Sequence, residues 1–463
     1  MATQETPLEQ EADQAAMDNS LKYLDATADS LELRKPETAP SISDFRRRRP
    51  RSAAPNQDAI TLIEEDGVLR WEDRPVLVSA SGRRFGRAGA AIISGRVVRQ
   101  YEFEKLEPNK VGGLLVTLDE KLTPNQGLHR VRLVNAGGGE KKAVLEKIEK
   151  PTATKRALVL IHGTFSNAEN TLGELQASAA GQKLLSDLLD GANKKYDAVF
   201  AFNHPTLSLS PVINALDMAR LFGDCPAMID VICHSRGGLV TRWWLEGLNH
   251  GRITPGKVVA VASPLGGTSL ASPPRLRAAL NFITNVGRAL EVAGTAVGTV
   301  AGVGAPFMTV AVGLVRVITT ITGVASNVPL IDAAVAMIPG LAGQSRVSNN
   351  LELSRILRQG SGTLPEYNSI IGNFEPPPVG WKFWKLFVKP KERAFDLGAD
   401  MVFDQDNDLV VDTSSMTELF KDGDNVLSRI ERVFDFGTRN DVHHTNYFRQ
   451  PETVKFIRES LGI

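Results

Sequence analysis

The residue types best suited to covalent chemistry gather around Ser235, in the run Cys233-His234-Ser235-Arg236-Gly237-Gly238. An apolar stretch, Ile229 to Cys233, leads straight into it, and a helix-forming stretch follows at once. A serine hydroxyl at its ordinary pKa is a weak nucleophile, so it needs a base, a group that orients the base, and backbone donors for the oxyanion. A sharp strand-to-helix turn of the G-x-S-x-G kind exposes such a hydroxyl. Gly237 satisfies its second half, and Cys233 stands where the first glycine would be. The bland alternative is a serine that only caps the following helix. About seventy residues upstream, "VLIHGTF" ends an apolar run with His162-Gly163. The next backbone N–H, that of Thr164, together with the N–H of Arg236, is expected to bind an oxyanion, with His162 ordering the loop through hydrogen bonds. Downstream, "SPLGGTSLA" from Ser263 supplies a second strand end with a small-residue loop.

Taken in this order, "LIHGTFSN", "CHSRGG" and "SPLGGTSLA" resemble the α/β-hydrolase superfamily, particularly bacterial lipases and esterases with a His-Ser-x-Gly-Gly turn. The resemblance spans roughly residues 155 to 450 and does not reach the first 150. It implies a Ser-acid-His order along the chain. The acid then lies in "MVFDQDNDLVVDTSSM", which offers Asp404, Asp406, Asp408 and Asp412. Asp408, followed by Leu-Val-Val, best matches the acid of such enzymes, and Asp406 is the reserve. The same aspartates spaced by two invite a calcium loop, but Leu409 and Ser415 occupy the positions where glycine and glutamate would be needed. Past residue 250 the histidines are His443 and His444. The resemblance favours His444 as base, because "HTNYF" opens a loop before the last helix, and His443 is held in reserve. His204, in "FAFNHPTLSLS", reads as a structural or pocket-lining residue.

These residues need a scaffold that brings distant loops together. Continuous apolar runs at "RALVLI", "YDAVFAFN", "MIDVIC", "GKVVAVASP" and "YNSIIGNF" read as strands buried on both faces. Helix-length segments between them predict an α/β-hydrolase fold, a doubly wound, mostly parallel sheet with an inserted helical lid. Ahead of it, "AITLI", "AAIIS", "GGLLVTL" and "HRVRLV" between turn residues predict a small β-rich accessory domain over 58–150. Residues 1–57 are polar, contain the basic run "FRRRRPR", and read as a disordered tail. The hydrolase domain is placed at 151–463 with its lid insertion at about 273–346.

Within that insertion Val292 to Val315 carries no charge, and Gly294, Gly298 and Gly302 share one helix face. A packed helical cap, a lipid contact and an oligomer helix are all compatible with it. Peripheral lipid contact through 285–345 and through the aromatic and lysine run "WKFWKLFVKPK" at 381–391 stands beside the simpler reading of ordinary packed surface.

The totals set outer bounds. With 53 basic and 53 acidic residues, no global field draws the chain to nucleic acid. Two cysteines, Cys225 and Cys233, make no disulfide framework and lack metal-ligand spacing. The first twenty residues lack the apolar core of a secretory signal, which predicts a cytoplasmic, at most membrane-associated chain. No cofactor or metal is expected. Together these features point to a serine hydrolase of carboxylic esters, lipid-like ones above all, acting through a Ser235-His444-Asp408 triad on a small-molecule substrate. The alternatives are an acyltransferase or amidase with the same triad, and a non-catalytic hydrolase-like scaffold that binds a partner or membrane.

Overall fold

The computed structural model describes residues 17–19, 21–22, 25, 34–35, 57–65, 67–72, 96–104, 110–137, 140–151, 155–190, 194–249, 253–271, 276–296, 338–346, 350–358, 364–376, 383–384, 402–403, 405–422, 425–427 and 429–463. Most of the polar tail, "AAIIS", the glycine repeat beyond residue 296, most of 381–391 and Asp404 lie outside them. The chain divides into two compact units. The first comprises Met1–Leu114, Pro274–Ala334 and Pro377–Val402, and the second Leu115–Pro273, Val335–Pro376 and Phe403–Ile463.

The first unit holds a three-stranded antiparallel sheet of β1 (Gln57–Glu65), β2 (Val68–Glu72) and β3 (Arg96–Glu104), in the order β2-β1-β3. The helix Leu276–Ala296 lies along the free edge of β2. Asn285 Nδ2 donates to the Leu69 carbonyl at 2.8 Å and Asn285 Oδ1 accepts from the Leu69 N–H at 2.9 Å. Asn281 Oδ1 accepts from the Trp71 N–H, and Thr284 Oγ1 from the Trp71 indole. Side-chain amides thus satisfy an edge that would otherwise present open backbone groups. This helix begins the insertion expected to belong to the hydrolase domain. It belongs instead with the small sheet, because its asparagines bind that sheet's edge. Phe383 and Trp384, from the aromatic and lysine run, are buried against Phe282 of the same helix.

The second unit is built on an eight-stranded sheet. Its strands are β4 (Gly127–Gly137), β5 (Glu140–Ile148), β6 (Arg156–Ile161), β7 (Ala198–Asn203), β8 (Met228–His234), β9 (Thr254–Val261), β10 (Glu366–Phe374) and, after the small hairpin β11 (Phe420–Asp422) and β12 (Asn425–Leu427), β13 (Ile430–Arg439). The order is β13-β10-β9-β8-β6-β7-β4-β5, parallel from β13 through β7 and antiparallel at β4 and β5. The hairpin β4-β5 lies within the stretch expected to form the accessory domain, yet it pairs with β7 and extends the large sheet. Its alternating apolar and charged residues suit a half-covered edge of either sheet, which is why pattern alone misplaced it. The run "GGLLVTL" is a helix, Val111–Leu122, rather than a strand. Val111, Leu114, Leu115, Leu118 and Leu122 are buried at helical spacing.

Strand β6 shows how the core forms. Ala157, Val159 and Ile161 enter one apolar cluster with Met218, Phe222 and Trp244, while Leu158 and Leu160 enter the other with Leu172, Leu184 and Ile457. Helices therefore cover both faces, which is the doubly wound α/β arrangement. After β6 the chain adds β7 on one side and then returns to place β8 on the other. At such a reversal the loops beyond the carboxyl ends of the strands part and leave a crevice. Those loops begin at His162 and Ser235.

Candidate active site

The turn after β8 is built by close backbone approach. Ser235 has φ 51°, left-handed for a residue with a Cβ, and its N–H binds the Val261 carbonyl at 3.0 Å. Such a conformation costs energy and persists where the surroundings hold it. Gly237 holds it from one side, since a Cβ there would come within 2.5 Å of the Ile161 carbonyl oxygen. Gly163 holds it from the other, where a Cβ would lie 2.5 Å from Ser235 Cβ and 3.1 Å from its Oγ. The loop after β6 therefore lies directly on the serine. Cys233 packs as a small buried residue, and burial pushes its thiol up to about 11.

The loop beside Ser235 is ordered by His162. Its Nε2 accepts from the His204 N–H at 3.1 Å, so Nδ1 carries the proton and donates to the Gly163 carbonyl at 2.8 Å. Burial pulls the imidazole down to about 4 and keeps it neutral. In a trans peptide the C=O and the following N–H point opposite ways. Anchoring the Gly163 carbonyl thus sets the direction of the Thr164 N–H. Gln344 grips the Thr164 hydroxyl through its amide, with Nε2 to Oγ1 at 3.1 Å. Among the described residues, neither the Thr164 nor the Arg236 backbone N–H is taken up by a hydrogen bond. The Arg236 side chain runs away from the turn, is fully buried, and donates from Nη2 to the Leu209 carbonyl at 2.6 Å and to Asn214 Oδ1 at 2.7 Å.

Asp408 and His444 meet on the same sheet edge, after β10 and β13. His444 Nδ1 lies 2.8 Å from Asp408 Oδ2, with both side chains buried. Asp408 Oδ1 accepts from the N–H groups of Val410 and Val411, at 3.2 and 2.9 Å. Leu409, at φ 91°, makes this tight turn possible, and Asn407 Oδ1 supports it by accepting the Leu409 N–H. The carbonyl of His444 accepts from His234 Nε2 at 2.9 Å, and the two rings are 4.8 Å apart, so residue 444 sits beside the serine turn.

The reserve residues are turned elsewhere. His443 binds Thr445 Oγ1 and Asn446 Nδ2 through its two ring nitrogens and packs edge-on against Phe374, and burial lowers its pKa to about 4. Asp406 is exposed and uses its carbonyl to accept the Thr413 N–H. His204 is buried and stacked on His162 at 4.1 Å. Sequence reasoning passed over Gln344 and Asp119. Asp119, in the helix Val111–Leu122, accepts from the N–H groups of Thr206, Leu207 and Ser208 and from the Ser208 hydroxyl. It fastens the loop after β7, and no local pattern marks it. Among the described residues no helix is long and apolar enough to cross a membrane, and no group of three or more metal-binding side chains is assembled.

The sheet, with its switched strand order and helices on both faces, is a doubly wound, mostly parallel α/β fold. Similar solved structures include lipase 1 from Pelosinus fermentans, 14% identical, covering 65% of this chain and 98% of that one at a TM-score of 0.36. Another is the product of gene lin2722 from Listeria innocua, 13% identical over 66% and 94% of the two chains with a TM-score of 0.32. A third is Bacillus licheniformis lipase BlEst2 in its mature form, 12% identical over 68% and 95%, with a TM-score of 0.31. No curated protein matches the chain. The family described as Domain of unknown function (DUF7379) matches residues 126–462, from the start of β4 to the end of the last helix. The chain belongs to the DUF7379 family.

Proposed function

We propose that this protein is a serine hydrolase of carboxylic esters, with Ser235 as nucleophile, His444 as base, Asp408 as its orienting acid, and the N–H groups of Thr164 and Arg236 as oxyanion donors. The observation that carries the reading is the buried 2.8 Å pair of His444 Nδ1 and Asp408 Oδ2 beside a serine held at φ 51°. An ionised carboxylate accepts only, so it fixes the proton on Nδ1 and leaves Nε2 free to take another. As Ser235 Oγ bonds to the ester carbonyl carbon, its proton passes to His444 Nε2, and the imidazolium then protonates the departing alcohol. Water next attacks the acyl-serine, giving its proton to the same nitrogen, and the acid leaves as serine is restored. Each oxyanion donor contributes about 3 kcal/mol at the tetrahedral stage. An uncharged, lipid-like acyl chain is the substrate class this reading favours.

The test is labelling of the whole chain with a fluorophosphonate, together with hydrolysis of p-nitrophenyl esters from acetate to palmitate. Wild type is expected to label, and Ser235→Ala and His444→Ala to lose both labelling and turnover. Labelling that persists in Ser235→Ala removes the nucleophile from this site. A rate that falls steadily with acyl length removes the lipid-like preference and leaves the ester chemistry standing.

A further inference from the structure

Residue 444 is tied at three atoms. Its N–H donates to the Asp408 carbonyl at 3.0 Å, its Nδ1 binds Asp408 Oδ2, and its carbonyl accepts from His234 Nε2 at 2.9 Å. The first two ties bind the histidine loop to the acid loop. The acid loop is anchored in turn to β10, where the Phe374 N–H donates to the Asn407 carbonyl at 2.8 Å, but neither of the two ties reaches the strand that carries the serine. The third tie joins the loop to the last residue of β8, directly before Ser235. Among the described residues it is the one hydrogen bond between residue 444 and the strand that carries the serine.

We propose that His234 is a positioning residue: by donating Nε2–H to the His444 carbonyl, it fixes the His444–Asp408 pair over the Ser235 turn. The inference rests on the triad reading above. It explains why an imidazole stands at a position that sequence reasoning left without a role. A carbonyl only accepts, so the proton must sit on Nε2. Burial and the neighbouring His444 imidazole hold His234 well below the usual histidine pKa, so it donates while uncharged. A positively charged residue there would oppose formation of the His444 imidazolium. The ring also packs edge-on against Phe448 at 5.7 Å, which limits the directions in which its N–H can point.

The experiment compares His234→Gln, whose amide nitrogen reaches about as far as Nε2, with His234→Phe, which keeps the ring and loses the donor. His234→Asn, too short to reach, repeats the comparison without added bulk should the Phe variant fail to fold. Two readouts are taken on the full chain. One is the fluorophosphonate labelling rate constant at saturating reagent, separated from apparent reagent affinity. The other is the low-field proton resonance of His444 Nδ1–H in 15N-histidine-labelled protein, which needs no turnover.

The Phe and Asn variants are expected to label about tenfold more slowly or worse with unchanged affinity, and to lose or broaden the resonance. His234→Gln should recover most of both. The proposal is overturned if the Phe or Asn variant keeps the wild-type rate and resonance, or if Gln behaves as they do. Should wild type itself fail to label at Ser235, the triad reading falls, and the resonance comparison still decides whether His234 holds His444 in place.

Discussion

His444 is bound to Asp408 twice, through Nδ1 to Oδ2 at 2.8 Å and through its backbone N–H to the Asp408 carbonyl at 3.0 Å. Asp408 in turn has its other oxygen occupied by the N–H groups of Val410 and Val411. An asparagine at 408 must therefore keep its oxygen toward those two donors and turn its NH2 toward His444. That forces the proton of His444 onto Nε2, the tautomer that cannot accept from serine. Asp408→Asn is expected to cut ester hydrolysis by about 10³- to 10⁴-fold. Its melting temperature should stay near that of wild type. Steady-state rates and a thermal scan check both halves, and a variant with wild-type rates removes Asp408 from the mechanism.

Gly163→Ala is expected to inactivate the protein. The new methyl would lie 2.5 Å from Ser235 Cβ and 3.1 Å from Oγ, and the opposing turn is already held against Gly237. Either the loop moves and takes the Thr164 N–H with it, or the serine does. We expect at least a hundredfold loss of turnover and about 1–3 kcal/mol of stability, read from kinetics and urea unfolding. Retention of more than half the activity shows that the loop relaxes without disturbing the proposed oxyanion donors.

How much of this was legible in sequence depended on whether the cause was local. A buried strand running into Ser235-Arg236-Gly237-Gly238 is a local pattern, and so are the runs that became β6 through β10. The choice of His444 over His443 was not local. The observation that favours it is spatial: Asn446 and Thr445 occupy both ring nitrogens of His443, whereas His444 Nδ1 faces Asp408. Asp119 reaches its partners across some 87 residues of chain, so nothing near it signals a clamp. The insertion helix was assigned to the wrong neighbour because an apolar helix face does not say which sheet it covers. That information lies in Asn281 and Asn285, polar residues whose partners are backbone atoms more than two hundred positions away.

Stability should fall on mild acidification. His162 is 2% exposed and titrates at about 4 in the folded chain against about 6.5 when unfolded. A depressed histidine makes the unfolded state bind more protons between those values. The stability it contributes is therefore present above about pH 6.5 and is lost as pH falls through 4. Its full extent is about 3 kcal/mol. Carboxylates also titrate near the lower end, so the measurement is the difference in unfolding free energy between wild type and His162→Gln. That difference should shrink on going from pH 7 to pH 4, and a constant difference removes the buried neutral imidazole as its cause.

Asn285 offers a test of how the insertion helix is held. Its amide serves both backbone groups of Leu69 on the edge of β2, at 2.9 and 2.8 Å. Truncation to alanine leaves a buried N–H and a buried carbonyl without partners, and the helix covers both from water. An orphaned buried group costs about 1–3 kcal/mol. Asn285→Ala should therefore loosen the small sheet locally. Amide exchange at Leu69 is expected to accelerate at least tenfold, while amides of β6 and β8, in the other unit, keep wild-type protection. Asn285→Asp separates the two bonds, since a carboxylate can still accept from the Leu69 N–H but cannot donate to its carbonyl. Exchange at Leu69 in that variant should fall between wild type and alanine. If alanine leaves Leu69 as protected as before, the edge is closed by the surrounding packing rather than by the amide.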